Sequence, residues 1–382
     1  SGSFTEGNLT VTRGNEVTIA VSHSGSGTLT IGGSEYGFNV TVDLGGSGTT
    51  EVVLDTRATT ASDPAEFIDG GAATMHSPPL DEALEPERYL LRLEVDGVEQ
   101  DLSTLTVEPR GETTAASFRA PESFAPAEYT GGGEDGDADV GPLEAAMSEG
   151  STVARGDYAV IRFEESGLET ALNESDLTGS AAANGLKLNF TQTDPGPNHA
   201  AREYVATDGG NVSVLPSFSN DRLYVLWNTS AVPIETQSGR NQYQATFALT
   251  DESGLVESET TLATTTFALR RASVSLEPTT GSVHQPWDND TFVVTGQTNR
   301  VTGTTLEARL RGTGSNSFLE LSDATINDDG SFETELDLSS VPLGTNATLW
   351  LRPYRSETAE QIHLVAPDPA IELEPQPVNG TS

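Results

Sequence analysis

The place in this 382-residue chain where residue type and spacing could hold a ligand is Asp135-Gly136-Asp137-Ala138-Asp139. Carboxylates at alternate positions open a loop for a hard divalent ion, because Ca²⁺ takes oxygen ligands from closely spaced acids. Asp135, Asp137 and Asp139 are therefore the candidate metal ligands, with Ca²⁺ or Mg²⁺ as the ion. The rest of the loop departs from that pattern. Val140 stands where a glycine turns the chain, Ala146 where a bidentate glutamate closes the site, and Glu144 comes two residues early. The same run suits a solvated acidic connector, and nothing else in the sequence requires a cofactor.

Other chemistries find less support. His23, His76, His199, His284 and His363 lie in separate segments without metal-ligand spacing, so a transition-metal site would need distant segments to converge. There is no cysteine, hence no thiolate ligand, thiol nucleophile or disulfide. No Gly-x-Ser-x-Gly elbow occurs, and the glycines at 25, 27, 45, 46 and 48 lie between β runs instead of before a helix N-terminus. Paired carboxylates cannot be singled out among 58 acids. Trp227, Trp287 and Trp350 could line a sugar-binding face. Trp227 shares the phase of Leu223 and Val225 and reads as core, whereas Trp350 is out of phase with Leu349 and Leu351 and reads as exposed. No catalytic residue is expected, and the chain reads as a non-enzyme.

Charge narrows the partners. The 58 acids face 19 basic residues, a net charge of −39, and Lys187 is the one lysine among them. Nucleic acid is excluded as a natural partner because phosphate binding needs clustered Lys and Arg. An anionic membrane would repel the chain, so contact with a membrane is expected only through an anchor absent from this sequence. Arginine in place of lysine and a threefold acid surplus suit molar salt, where the Debye length is about 3 Å and surface carboxylates barely repel one another.

The elements that would carry these residues are strands. Val17, Ile19 and Val21 alternate with polar neighbours, as do Leu91, Leu93 and Val95, Leu306, Ala308 and Leu310, and Phe332, Thr334, Leu336 and Leu338. Such period-2 patterns, separated by Gly- and Asp-rich turns, predict antiparallel sheets each buried on one face. Short helices are expected only near 143–148 and 165–172. An internal repeat adds to this: TVTRGNEVTIAV at 10–21 aligns without a gap on TVARGDYAVIRF at 152–163. The fold class is all-β, three tandem immunoglobulin-like antiparallel β-sandwiches. The expected modules are 1–110, an acidic Gly/Pro-rich linker at 111–143, 144–275, 276–367 and a Pro-rich stalk at 368–382.

Nine Asn-X-Ser/Thr sequons, at Asn8, Asn39, Asn173, Asn189, Asn211, Asn228, Asn289, Asn346 and Asn379, exceed the four or so that random placement gives at this composition. Sequons matter only in exported chains, so the excess points outside the cell. The opening FTEGNLTVTRGNEVTIAVSHSGSGTLTIGG, the hairpin YLLRLEVDGVEQDLSTLTVEPR, the segment DPGPNHAAREYV and the third module from VVTGQTNRVTG onward resemble haloarchaeal cell-surface glycoproteins. That resemblance implies export, N-glycans and a hydrophobic anchor beyond a stalk, which with the leader would lie outside this sequence. It implies an extracellular structural protein of the surface layer. Its partners would be copies of itself or neighbouring surface proteins, N-glycans and divalent cations. A spike or adhesin ectodomain binding a host or sister cell, or a filament subunit, is the alternative.

Overall fold

Alternation sets which side of each strand is buried, and the strand pairings then close three sandwiches. The computed structural model describes residues 1–130, 137–164, 167, 185–205, 211–277, 282–286, 291–315, 317–354 and 358–365. Two compact units emerge, Ser1–Arg270 with two sandwiches and Arg271–Ser382 with one.

The first sandwich contains β1 (Gly2–Phe4), β2 (Leu9–Thr12), β3 (Glu16–His23), β4 (Gly27–Gly33), β5 (Phe38–Asp43), β6 (Gly48–Asp55), β7 (Ile68–Asp69), β8 (Ala72–Met75), β9 (Glu87–Val95) and β10 (Val98–Glu108). Its sheets run β1-β3-β6-β7 and β2-β10-β9-β4-β5-β8 around a core that includes Ile19, Leu29, Phe38, Val52 and Leu91.

The second comprises β11 (Thr114–Ala120), β12 (Ser148–Glu149), β13 (Thr152–Ala154), β14 (Tyr158–Glu164), β15 (Leu186–Gln192), β16 (Glu203–Val205), β17 (Val212–Ser217), β18 (Arg222–Asn228), β19 (Gln242–Leu249) and β20 (Thr260–Arg270). The orders are β12-β11-β14-β18-β17 and β13-β20-β19-β15-β16. With β12 set aside as an edge addition, this is the A-B-E-D and G-F-C-C′ arrangement of an immunoglobulin domain.

The third has β21 (Val274–Glu277), β22 (Ser282–Pro286), β23 (Thr291–Thr298), β24 (Thr305–Thr313), β25 (Leu319–Thr325), β26 (Ser331–Asp337), β27 (Asn346–Arg352) and β28 (Glu360–Val365). They form sheets β21-β23-β26 and β22-β28-β27-β24-β25. All three sandwiches share one device. The opening strand is split between the two sheets, and its second half pairs parallel with the last strand: β2 with β10, β13 with β20, β22 with β28. The other named strands pair antiparallel.

The sequence repeat at 10–21 and 152–163 covers that second half, the turn after it and the next strand. Gly14 and Gly156, at φ 103° and 110°, turn the chain from one sheet to the other in a conformation that side chains resist. A threonine that follows the neighbouring strand of the same sheet, β6 or β18, holds each turn. Gly14 N donates to Thr56 Oγ1 at 2.8 Å, and Thr56 Oγ1 donates to Asn15 O at 2.7 Å. Gly156 N donates to Thr229 Oγ1 at 3.0 Å, and Thr229 Oγ1 donates to Asp157 O at 2.6 Å. Both threonines are 0% exposed, so each hydroxyl satisfies backbone groups that water does not reach.

The segment 111–143, expected as a linker, contributes β11 and a layer over the outside of the second sandwich. Ala120, Phe124, Ala138 and Leu143 pack there on Tyr158, Val160, Leu215, Tyr224 and Leu226. The cause lies in β14 and β18, whose YAVIRF and RLYVLW are apolar on both faces and need a cover on each. The short helix α1 (Gly141–Ala146) belongs to this cover, and the range 165–172 lies outside the described residues save for Gly167.

Like charges meet on the first sandwich. Glu16 sits opposite Asp55 across β3 and β6. Burial first, then the Asp55 carboxylate, raises the pKa of Glu16, and burial likewise raises that of Asp55. A carboxyl raised in the folded state costs stability above its folded pKa, and the cost vanishes as pH falls below the unfolded value. Stability measured in dilute salt is therefore expected to rise as pH falls from neutrality toward 4.5. Glu16→Gln should raise stability at neutral pH by about 0.5 kcal/mol and shrink that rise. A Glu16→Gln chain with an unchanged pH profile in denaturant titrations would refute the assignment.

Candidate functional site

Of the acidic triplet, Asp137 and Asp139 are described and Asp135 lies outside the described residues. Asp137 is 8% exposed. Its carboxylate accepts from Ser219 Oγ at 2.5 Å and Ser219 N at 3.1 Å. Ala138 N donates to Pro216 O at 2.7 Å and Asp139 N to Tyr129 O at 3.0 Å, so the run is stitched to β17 and to the loop before it. Asp139 is exposed. Among the described residues no three His, Asp or Glu side chains gather at metal-binding distance. The arrangement therefore uses Asp137 as an anchor for the turn after β17.

The acceptor asparagines separate by exposure. Asn8, Asn211 and Asn346 are exposed, Asn39 and Asn228 half-buried, and Asn189 buried at 7%. Asn8 adopts a positive φ of 55°, and its Oδ1 accepts from Thr104 Oγ1 at 2.9 Å. Asn346 Oδ1 bonds His363 Nδ1 at 2.6 Å. Asn228 Oδ1 caps Ser230 N at 2.9 Å, beside the buried Thr229. Asn189 differs: its Nδ2 donates to Glu203 Oε1 at 2.5 Å from within the sheet. A glycan there would have to be attached before β15 and β16 pair. Asn173, Asn289 and Asn379 lie outside the described residues.

His284 and His363 stand opposite each other in the parallel register of β22 and β28, and the other histidines lie on separate segments. His23, 5% exposed, bonds Gly25 O at 2.8 Å and Thr50 Oγ1 at 3.0 Å, and His76 bonds Thr41 Oγ1 at 2.8 Å. Trp227 is core, 0% exposed and ringed by Phe190, Tyr204 and Tyr243 at 4.7–4.9 Å between centroids. Trp350 corrects the expectation from phase, because it is only 8% exposed on the outer side of its sheet. Trp287 is outside the described residues.

A cleft of about 410 Å³ opens in the first unit, where the first sandwich meets the loop before β20. Tyr36, Phe38 and Tyr89 form its floor, and Asp81, Glu82, Glu85 and Glu257 its rim. Burial, with Glu85 and Glu87 nearby, pushes the Tyr89 phenol up to about 12. Arg13 Nη2 meets Glu82 at 3.2 Å and donates to Ala83 O at 2.8 Å, and Ala83 N donates to Gly254 O at 2.9 Å. Ala83 is buried in the second core, so this strap of the first sandwich is also a wall of its neighbour. The lining offers carboxylates and ring faces, without imidazole, serine or threonine.

Thr56 and Thr229 are the residues that sequence reading missed. A signal existed, since Thr56-Arg57-Ala58 and Thr229-Ser230-Ala231 each follow the strand that pairs with the repeat. Their offset differs from that of the first repeat because the second module carries a longer insertion, so a gap-free comparison does not bring them together.

No family model matches the chain. It is 23% identical over 344 residues to a cell surface glycoprotein of Haloferax gibbonsii, covering 85% of this chain and 39% of that protein. It is 28% identical over 246 residues to cell surface glycoprotein 2 of Haloarcula hispanica, covering 53% and 25%. The chain thus spans less than half the length of either relative. Among solved structures, a bacterial ice-binding adhesin studied for host cell surface retention aligns over 96% of this chain and 98% of its own, at 12% identity and TM-score 0.21. An I-band fragment of titin aligns over 96% and 98%, at 6% and 0.21. The sandwich assignment rests on the strand pairings themselves, not on these alignments. Together with the halophile-like charge balance, the two sequence relationships make the chain a homologue of the cell-surface glycoproteins of halophilic archaea.

Proposed function

We propose that the chain is an exported, N-glycosylated structural part of the surface layer of an extreme halophile, acting without catalysis. It is an extracellular, cell-surface protein, as its relatives are by name. The observation that carries the finer reading is the outward placement of Asn8, Asn211 and Asn346 on a scaffold of rigid sandwiches. Carboxylate-rich faces hold hydrated cations and keep the surface soluble at high salt. In this reading Ca²⁺ or Mg²⁺ bridges facing carboxylates of neighbouring surface proteins, and the modules keep those neighbours at set distances.

The test is glycopeptide mass spectrometry on the chain purified from its native envelope. Glycans are expected on Asn8, Asn211 and Asn346, with Asn189 unoccupied. A chain carrying none at the three exposed positions would overturn the glycoprotein reading. Absence of the chain from the envelope fraction would overturn the location.

A further inference from the structure

The two outer faces of the third sandwich differ in sign. On sheet β21-β23-β26 the inward row is Phe292, Val294, Phe332 and Leu336, so Glu277, Glu333, Glu335 and Asp337 point out. All four are exposed, and among the described residues no basic side chain stands on that face. Val293, 48% exposed, lies in their midst, directly opposite Glu335 in the register. On the other sheet Leu306, Ala308, Leu310, Ala347, Leu349 and Leu351 point in. Its outer face carries Arg309, Arg311 and Arg352, with Trp350 opposite Arg309 and with Leu319 and Leu321 along β25. The acids on that face are Glu307, which pairs with Arg309, and Asp323.

This second face is anomalous for the chain as a whole. With 19 basic residues among 382, three arginines on one sheet face give a local positive balance in a molecule of charge −39. Arg311 and Arg352 are exposed and make no ion pair among the described residues. Leu319 and Leu321 are 50% and 49% exposed on β25, an edge strand. Exposed leucines on an edge strand invite association. Arginine around an apolar centre is the composition of an interface, and its planar guanidinium meets carboxylates with two parallel bonds.

We propose that a second copy of this chain docks the acidic face of its third sandwich onto the arginine-bearing face of the first copy's third sandwich. Charge complementarity selects the occupant. Carboxylates Glu333, Glu335 and Asp337 of one copy meet Arg311 and Arg352 of the next, and Val293 meets the Leu319–Leu321 pair. The contact joins unlike faces, so each copy keeps one face free and the association propagates as an open array or closes as a ring. The three-stranded acidic face is the smaller of the two, and three strands about 4.8 Å apart and seven residues long make a face of roughly 10 by 23 Å. That is about a third of the roughly 800 Å² per partner of a stable pair. One contact is therefore weak, and it becomes effective when repeated along an assembly.

The inference rests on the structural surface reading above and names a surface for it. The test uses the full chain in molar KCl, followed by sedimentation velocity over a concentration series reaching millimolar. Self-association is expected, weakening about tenfold in Arg311→Glu/Arg352→Glu and likewise in Glu333→Arg/Glu335→Arg. An equimolar mixture of the two variants should associate as strongly as the unaltered chain, because each then offers the other a complementary face. Three results would overturn the proposal: an unaltered chain that stays monomeric, variants that associate like it, or a mixture that does not recover. Glycan occupancy and envelope location, which decide the surface reading, are untouched by these substitutions.

Discussion

Thr229→Val is expected to destabilise the second sandwich by about 2–4 kcal/mol, and Thr56→Val the first by about 1–3 kcal/mol. Valine keeps the shape but removes the hydroxyl. Gly156 N then loses its acceptor and Asp157 O its donor, in a place where Thr229 is 0% exposed. A buried polar group left unmatched costs about 1–3 kcal/mol. Thr229→Val removes the hydroxyl from two such groups, whereas after Thr56→Val Asn15 O still accepts from the backbone N of residue 56 at 3.1 Å and Gly14 N is the group that loses its partner. The turn cannot relax to find other partners, because Gly156 is held at φ 110° between two sheets and Arg155 N already donates to Arg270 O at 2.8 Å. Serine at either position should recover most of the loss, since it restores the hydroxyl. Thr10→Val, on the exposed side of β2, should stay within about 0.5 kcal/mol. Urea titrations in molar KCl measure all of these. A Thr229→Val chain as stable as the parent would show that the hydroxyl bonds do not hold the turn.

Transfer from molar KCl into about 0.01 M salt is expected to unfold much of the chain, with the β signal in far-UV circular dichroism returning on re-addition of KCl. At about 0.01 M the Debye length is about 30 Å, so every carboxylate on a sandwich sees the others. Two unit charges 10 Å apart repel by about 0.4 kcal/mol in unscreened water. An excess of 39 charges contains hundreds of pairs, against a folding stability of about 5–15 kcal/mol for a domain. Glu333, Glu335 and Asp337 share one side of one strand, and Glu16 faces Asp55 across another. Acidification should partly replace salt, because protonating Glu16 and Asp55 removes charges that the folded state holds at a cost. At lower pH the gain reverses. Glu235, whose carboxyl the hydrogen bond from Arg202 holds below the usual carboxylate range, then loses its charge and its partner. Retention of the full β signal at low salt would refute this account.

Much of the architecture is legible in the residues. Alternation in Val17, Ile19 and Val21, or in Phe332, Leu336 and Leu338, predicts one-faced strands, and the inward residues at Ile19, Val21, Phe332, Leu336 and Leu338 are buried to 2% exposure or less. A strand's two faces differ only by residue parity, so the pattern is local and survives without any knowledge of partners. The repeat at 10–21 and 152–163 likewise marks a turn that only a positive-φ glycine makes easily. Charge is legible too, because composition decides solvation before any fold exists. Sequons are legible as acceptors, but not their exposure. Asn189 and Asn211 read alike, and one is buried in a sheet while the other faces solvent.

What escaped the linear reading depends on contacts between distant segments. Thr56 and Thr229 matter because each reaches a glycine 42 or 73 residues away. The acidic, glycine-rich stretch around 111–143 reads as a connector, yet Phe124, Ala138 and Leu143 cover an outer sheet face whose own apolar residues demanded a lid. Trp350 reads as exposed from its phase, but phase gives the side of a sheet and not what lies over it. Composition and alternation thus announce a salt-adapted stack of β-sandwiches. Which carboxylate anchors a turn, which asparagine faces water and which sheet face gathers arginines are settled when strands far apart in the chain are brought into register, since burial and charge environment are properties of neighbours.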